Sequence, residues 1–196
     1  MAELLVDFIT SLDGYASGEG WPGWWGLQGP EYLAWLNEQP ERNYTLVMGA
    51  TTCRQMYGFA SAPQEEFGEE ERKSIADLAK TPKIVFSSSL QGPLPWENTQ
   101  LVSGDAVEKV KELKRNGTSM STIGSLSLSR SLIEAGVVDR FRVVMFPVIT
   151  GKTGSERIYD GYPDVALKMI SSRTFDNSIQ MVEYVPTVLE KAPLAP

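Results

Sequence analysis

Short apolar runs that end in glycine, serine or threonine alternate along this chain with amphipathic stretches of helical period, an order that few folds accommodate. Residues 4–9 run into Thr-Ser-Leu-Asp-Gly and residues 44–48 run into Gly49, so both read as strands feeding turns. Between them, residues 30–37 carry Leu33 and Leu36 on one side with Trp35 close by, the pattern of a short helix. Residues 68–80 are acidic at the front, with Ile75, Leu78 and Ala79 behind and Pro82 following, as an amphipathic helix requires. "KIVFSSS" is a strand opening into serines, and Leu101 and Val102 continue the sheet. Residues 105–115 then place Ala106, Val107, Val110 and Leu113 at helical spacing before an Asn-Gly stop. Residues 120–123 are a strand, Gly124 opens a turn, and a helix runs to a Gly136 cap before "VVDRFRVVMFPVI". Because "SLSLSRS" alternates like a strand, the helix there is inferred from its flanks. Residues 165–175 and 179–185 read as antiparallel strands joined at Asp176-Asn177.

The expected fold class is α/β, with a mostly parallel sheet and antiparallel strands at one edge. At 196 residues and 42% hydrophobic the chain can bury a proper core, and residues 1–190 read as one domain with 191–196 a frayed tail. In such sheets ligands bind beyond the carboxyl ends of the strands. Four strand ends share one composition: Asp13-Gly14, Gly49-Ala50-Thr51-Thr52, Ser87-Ser88-Ser89 and Gly124-Ser125. Each alone is an ordinary turn. Together they point to a nucleotide site, because helix N-termini and serine hydroxyls hold phosphates without much positive charge.

That economy suits a chain of net charge -7, which is a poor partner for nucleic acid. One cysteine allows no internal disulfide, and "MAELLVDFIT" has no basic segment before its apolar run, so the expected location is the cytoplasm, with no membrane partner. There is no histidine, which removes Ser-His-Asp and Cys-His nucleophiles, His-ligated zinc and an imidazole base. Chemistry must therefore come from a bound cofactor, carboxylates, hydroxyls or lysines, and no metal site is expected. "TGKTG" at 150–154 is not a P-loop, since Phe146 stands where that motif needs its first glycine. Cys53 reads as a small buried side chain, Lys152 as solvated, and "EEFGEEER" as a solvated helix start.

"FITSLDGYAS", "LVMGATT", "IVFSSSL" and "STIGSLSLSRSLIEAGVVDRFRVVMFPVITGKTG", in this order, resemble the dihydrofolate-reductase-like superfamily, in particular its branch related to the C-terminal reductase domain of bacterial riboflavin biosynthesis. The resemblance covers most of the chain. It implies an NADPH-binding three-layer α/β/α sandwich, often a homodimer, that passes hydride from nicotinamide to a small heterocyclic or carbonyl substrate. Carried over, Gly49, Ala50, Thr51 and Thr52 meet the cofactor phosphates, and Ser87 and Ser88 lie near the adenosine 2'-phosphate. Gly124, Ser125, Leu126 and Ser127 wrap the pyrophosphate. The chain departs from the family at Ala50, where an arginine is usual, and at Ser125, where a second glycine is frequent; Arg54, one helical turn on, is either a substitute cation or merely solvated.

"SLDGYASGEGWPGWWG" concentrates Trp21, Trp24 and Trp25 in a glycine-rich loop. The resembled fold sets this loop beside nicotinamide and substrate, so Trp24 and Trp25 are candidate substrate contacts; the alternative is a core edge or a dimer contact. Asp13 either makes an Asx-type turn with Gly14 or orients the loop or a substrate group, and is a candidate catalytic residue. Tyr32 is the other, because in "PEYLAW" it aligns with the carboxylate that dihydrofolate reductases carry on their first helix. A neutral tyrosine cannot form that charged pair, so dihydrofolate is not expected to be an efficient substrate. The expected function is an NADPH-dependent reductase. The alternatives are a catalytically inactive ligand-binding protein of the same fold, and a riboflavin-pathway ribosylaminopyrimidine reductase, against which stands the lack of any basic group between residues 11 and 29.

Overall fold

The computed structural model describes residues 2–20, 26–63, 65 and 67–191. In chain order the elements are β1 (Leu4–Ser11), β2 (Tyr15–Gly18), α1 (Pro30–Glu38), a 3₁₀ turn (Pro40–Asn43), β3 (Thr45–Gly49), α2 (Ala50–Ala60), α3 (Glu69–Lys80), β4 (Lys83–Phe86), β5 (Thr99–Val102), α4 (Ala106–Arg115), β6 (Met120–Thr122), α5 (Leu126–Glu134), β7 (Arg140–Phe146), β8 (Gly154–Arg157), β9 (Val165–Phe175) and β10 (Ile179–Val188). Eight strands form one sheet in the order β5-β4-β3-β6-β1-β7-β10-β9. The first six in that order are parallel, whereas β10 is antiparallel to β7 and to β9. This is the mixed α/β sheet that the strand and helix patterns predict.

Successive side chains of a strand point to opposite faces, and the sheet sorts its apolar residues accordingly. Leu4, Val6, Phe8, Val47, Ile84, Phe86 and Val143 pack with Val110 of α4 and Leu128, Leu132 and Ile133 of α5. On the other face, Val144 and Phe146 pack under Tyr32 of α1, while Met48 and Val85 pack under Cys53 of α2. Three layers result. Central strands buried on both faces read as unbroken apolar runs, which is why they were legible in the sequence.

Two short strands were not. β2 and β8 form a separate antiparallel pair, with Tyr15 opposite Arg157 and Gly18 opposite Gly154. Neither has an apolar face, and their pairing depends on segments far apart in the chain. β10 also runs past residue 185, to Val188, carrying Pro186 opposite Leu167. It pairs with β7 only from Gln180 to Tyr184, so Pro186 lies where one side of the strand is free and a proline is tolerated.

Asp176 and Asn177 have φ of 49° and 58°, and Ser178 N donates to Phe175 O at 3.0 Å, the backbone of a type I′ turn. That turn does more than join two strands. Helix α1 begins after Gly29, which has no side chain to cap it. Asp176 does so from across the molecule, its Oδ1 accepting from Glu31 N at 3.0 Å and its Oδ2 from Tyr32 N at 3.1 Å. Glu31 Oε2 in return accepts from Asp176 N at 2.7 Å, a capping box assembled from two remote segments. A Cβ on Gly29 would collide with the Asp176 carboxyl group. At the other end of the sheet, Lys83 is 1% exposed and donates from Nζ to the carbonyls of Leu78, Ala79 and Thr81 at 2.8, 3.0 and 2.6 Å, closing the C-terminus of α3.

Beneath α1 and the 3₁₀ turn, the sheet carries charge instead of hydrocarbon. Arg140 donates to Glu3, Glu41 and Glu183 at 2.6–2.9 Å, and Tyr44 Oη donates to Glu3 Oε1 at 2.5 Å. Burial pushes the Glu3 carboxyl up, but the Tyr44 and Arg140 hydrogen bonds and the Arg140 charge outweigh it and hold the group below its ordinary value. Burial and then the bond to Glu3 push Tyr44 up to about 12, so it remains a donor at neutral pH.

Replacing Asp176 with Ala leaves two N-terminal amides of α1 without an acceptor, and is expected to lower stability by about 1–2 kcal/mol in urea unfolding. The Glu3 bond is expected to show in the pH dependence. A carboxylate whose pKa is lowered by folding stabilises above its unfolded pKa, and that contribution disappears as pH falls through the folded value. The urea midpoint of Tyr44→Phe should therefore lie below wild type at pH 7, with the gap closing as the pH drops below the carboxylate range; a gap independent of pH would show that the bond to Glu3 is not its source.

Candidate active site

Parallel strands end on one side of a sheet, so β1, β3, β4 and β6 deliver Ser11, Gly49, Ser87 and Gly124 to the same edge. Two of these ends lead directly into helices. Gly49, extended at φ −89° and ψ 172°, precedes α2, whose first turn is Ala50, Thr51 and Thr52. Gly124 and Ser125, both left-handed at φ 54° and 64°, precede α5, which opens with Leu126 and Ser127. Neither helix has a side-chain cap at its start.

Ser125 locks the two starts together. Its Oγ accepts from Gly49 N at 2.8 Å and donates to Thr52 Oγ1 at 2.8 Å. The serine that stands where a second glycine is frequent thus spends its hydroxyl on the neighbouring helix. Gly124 is required on two counts: its φ is positive, and a Cβ there would lie 3.3 Å from Thr52 Cγ2. Leu126 packs on the core, Ser127 is exposed, and Thr51 is exposed while Thr52 is half-buried. Arg54, one turn further along α2, is exposed. The result is a pair of adjacent helix N-termini whose partial positive charge faces the strand-end edge.

The two serines after β4 part company. Ser87 turns its Oγ back to accept from Ser89 N and Leu90 N at 3.1 and 3.0 Å, shaping its own loop. Ser88 is exposed.

At the end of β1, Asp13 Oδ1 accepts from Ser11 Oγ at 2.7 Å and from Thr150 N at 3.1 Å, while Thr150 Oγ1 donates to Ser11 Oγ at 3.2 Å. The turn itself is closed by Ser11, whose carbonyl accepts from Gly14 N and whose Oγ accepts from Tyr15 N, each at 3.0 Å, while Asp13 fastens the loop after β7 to it. Burial raises its pKa, but the Ser11 and Thr150 hydrogen bonds prevail and hold it below the ordinary value, so it is ionised at neutral pH. Leu12 and Ile149, 61% and 73% exposed, form an apolar lip beside this cluster. Thr150 was missed in the sequence because its significance is the contact with Asp13, 137 residues away.

Tyr32 differs from the expectation that it edges a substrate. It is 0% exposed, with Phe146 and Phe175 edge-on at 5.3 and 5.8 Å and Trp35 alongside at 5.8 Å. Tyr32 is the residue of α1 that is buried, facing the sheet between Phe146 and Phe175. Its hydroxyl is buried without a hydrogen-bond partner among the described residues. Trp24 and Trp25, with Trp21, lie outside the described residues. The sequence reading also passed over Asp7 and Arg142, charged residues inside apolar strands: Arg142 Nε and Nη2 donate to Asp7 Oδ1 and Oδ2 at 3.1 and 2.6 Å. The lone aspartate in "LLVDFIT" and the two arginines that open "RFRVVMF" were the available signal. No described helix is long and apolar enough to cross a membrane.

The arrangement has known relatives. An uncharacterized protein of Bacillus subtilis (strain 168), YyaP, is 26% identical over 184 residues, covering 92% of this chain and 93% of its own length. A structure from Shewanella sp. PV-4, provisionally described as a riboflavin biosynthesis protein, superposes with a TM-score of 0.68 at 20% identity over 95% of this chain and 99% of its own. A pyrimidine reductase-like protein from Corynebacterium diphtheriae superposes with a TM-score of 0.61 at 16% identity, over 95% and 92% of the two chains. The model of the RibD C-terminal domain family matches residues 2–181. This chain, with its helix starts joined at the carboxyl edge of a dihydrofolate-reductase-like sheet, belongs to the RibD C-terminal domain family, a family of reductase type.

Proposed function

We propose that the protein is an NADP(H)-dependent oxidoreductase acting on a small heterocyclic or carbonyl substrate. The observation that carries this reading is the junction of α2 and α5 through Ser125, which sets two uncapped helix N-termini side by side. Backbone amides from Ala50, Thr51 and Thr52 and from Leu126 and Ser127 suit two linked phosphates, and an acidic chain with Ala50 in place of arginine needs such neutral donors. Gly49 and Gly124 keep the approach open. Ser88, exposed after β4, is the candidate for the 2'-phosphate, with Ser87 shaping the loop that presents it.

The cofactor, when bound, supplies the hydride. The chain's own residues bind and orient: Asp13 holds the loops after β1 and β7 in register, and Leu12 and Ile149 offer an apolar wall to a flat ring. Tyr32 is removed from the catalytic set, since its side chain is packed inside α1's contact with the sheet. Dihydrofolate stays outside the substrate class because α1 presents no carboxylate at that position. A second reading, a riboflavin-pathway reductase, draws support from the family and from the Corynebacterium diphtheriae relative described as pyrimidine reductase-like.

Titration of nicotinamide fluorescence tests the cofactor assignment. NADPH is expected to bind more tightly than NADH, and Ser88→Asp to erode the preference by repelling the 2'-phosphate. Equal affinities would sink the serine assignment, and no binding of either nucleotide would favour a non-catalytic ligand-binding protein. The homodimer is also part of this proposal. Edge strand β9 leaves Leu167, Met169 and Ile170 45%, 54% and 47% exposed on an unpaired border, a surface that proteins normally blunt or cover. Light scattering after gel filtration is expected to give twice the chain mass for wild type and the monomer mass for Met169→Lys; a monomeric wild type would reject the dimer.

A further inference from the structure

We propose that the groove between α5 and the segment of residues 158–164 is a second binding site, which takes a small amphiphilic carboxylate with its anionic head on Arg130 and its apolar body in the cavity beside Ile133. It lies along the flank of α5 and does not rest on the oxidoreductase reading. The segment leaves the strand-end edge at Ile158, whose N donates to Gly14 O at 2.9 Å, and reaches the end of β10 at Asp164, whose carbonyl accepts from Leu189 N at 2.8 Å. On the way Tyr162 packs edge-on against Phe141 at 6.5 Å, on the face of the sheet that α5 also covers. Helix and segment therefore lie side by side.

Arg130 stands where they meet. Gly161 has φ of 78°, and a Cβ on it would lie 2.5 Å from Arg130 Nη1 and 3.4 Å from Cδ, so glycine there leaves room for the arginine side chain. No partner fills that room. Arg130 is half-buried and its Nε donates to Leu126 O at 3.3 Å, but among the described residues its two terminal nitrogens meet no acceptor and no carboxylate forms an ion pair with it. Even Glu134, four residues on along α5, does not, and Asp160 turns to Arg157 at 3.7 Å instead. Beside Gly161, the Tyr162 hydroxyl is buried and has no hydrogen-bond partner among the described residues. Burial pushes it up to about 12, against the lowering effect of the Arg130 charge, so it is a neutral donor within reach of that charge. A forked guanidinium and a buried hydroxyl, both open, suit a carboxylate. With Glu134, Asp160 and Asp164 exposed in the same two segments, a monoanion fits better than a phosphate dianion. The apolar half of the site is next to it. Ile133 lies about one helical turn, ~5 Å, beyond Arg130. With Gly136, Val138, Pro186, Thr187 and Val188 it lines a cavity of about 260 Å³, room for one ring or a short chain. No charged side chain lines that cavity, so the head group is left to Arg130.

The probe is 4-phenylbutyrate, whose three methylenes span the turn between Arg130 and Ile133, compared with 4-phenylbutan-1-ol, which keeps ring and chain and loses the charge. Backbone-amide NMR titrations report both affinity and place. Wild type is expected to bind the acid at least about fivefold more tightly than the alcohol, with the largest shifts at Gly136, Gly161 and Thr187. Arg130→Gln should bind the acid no better than the alcohol, while its affinities for the alcohol and for NADPH stay within about twofold of wild type. Equal binding of the two compounds by wild type overturns the proposal, as does binding of neither, or shifts confined to the strand-end edge. A preference that survives in Arg130→Gln overturns it too, and so does a loss of NADPH affinity in that variant, which would assign the arginine to the cofactor. Should Arg130→Gln fail to fold, Tyr162→Phe takes its place: the acid is expected to weaken at least about twofold with the alcohol unchanged, and an unchanged acid affinity would overturn the proposal.

Discussion

The parallel pairing of β1 with both β6 and β7 is the constraint from which the site follows. Parallel neighbours end on the same side, so the turn after each strand is delivered to one edge of the sheet regardless of where it lies in the chain. The β1–β7 pair thereby brings Ser11 and Asp13 within reach of Thr150, and the parallel β3–β6 pair brings Gly49 within reach of Ser125. Single hydrogen bonds then finish what the sheet begins. A hydroxyl or carboxylate that spans two loops gains little energy alone, about 0.5–1.5 kcal/mol net, but it selects one loop arrangement among many.

The same logic recurs away from the edge. Helix α1 lacks its own cap and takes one from the hairpin tip, so its placement on the sheet depends on β9 and β10 being formed. Helix α3 takes three hydrogen bonds at its end from Lys83 on the strand that follows it. The charged cluster around Arg140 joins β1, β7, β10 and the 3₁₀ turn beneath the layer that α1 completes. Breaking any one partner would leave a buried charge or amide without compensation, and such contacts favour a single packing over near alternatives.

Much of this molecule was legible before folding was considered. The Asp176-Asn177 turn and the helical period of residues 105–115 are visible in the residues themselves, and the helix from Leu126 to Glu134 in its flanks. Each depends on local backbone preference or on a period that a short window contains. What escaped was non-local. Tyr32 in "PEYLAW" aligned with a family's functional position, and only the packing of α1 on Phe146 and Phe175 reveals it as core. Ser125 appeared as a departure from a glycine pair until its bonds to Gly49 and Thr52 were seen.

The sequence by itself determined the alternation of strands and helices, the glycines and serines at the strand ends, and a charge balance unsuited to nucleic acid. Those properties are carried by a residue's own conformational preferences and by the spacing of its near neighbours. Only the tertiary structure decided which hydroxyl, carboxylate or guanidinium meets which partner, as Asp7 meets Arg142 across 135 residues. Such a contact depends on strand order and register, which no local window encodes, and a shift of one residue in register would turn Asp7 to the opposite face of the sheet.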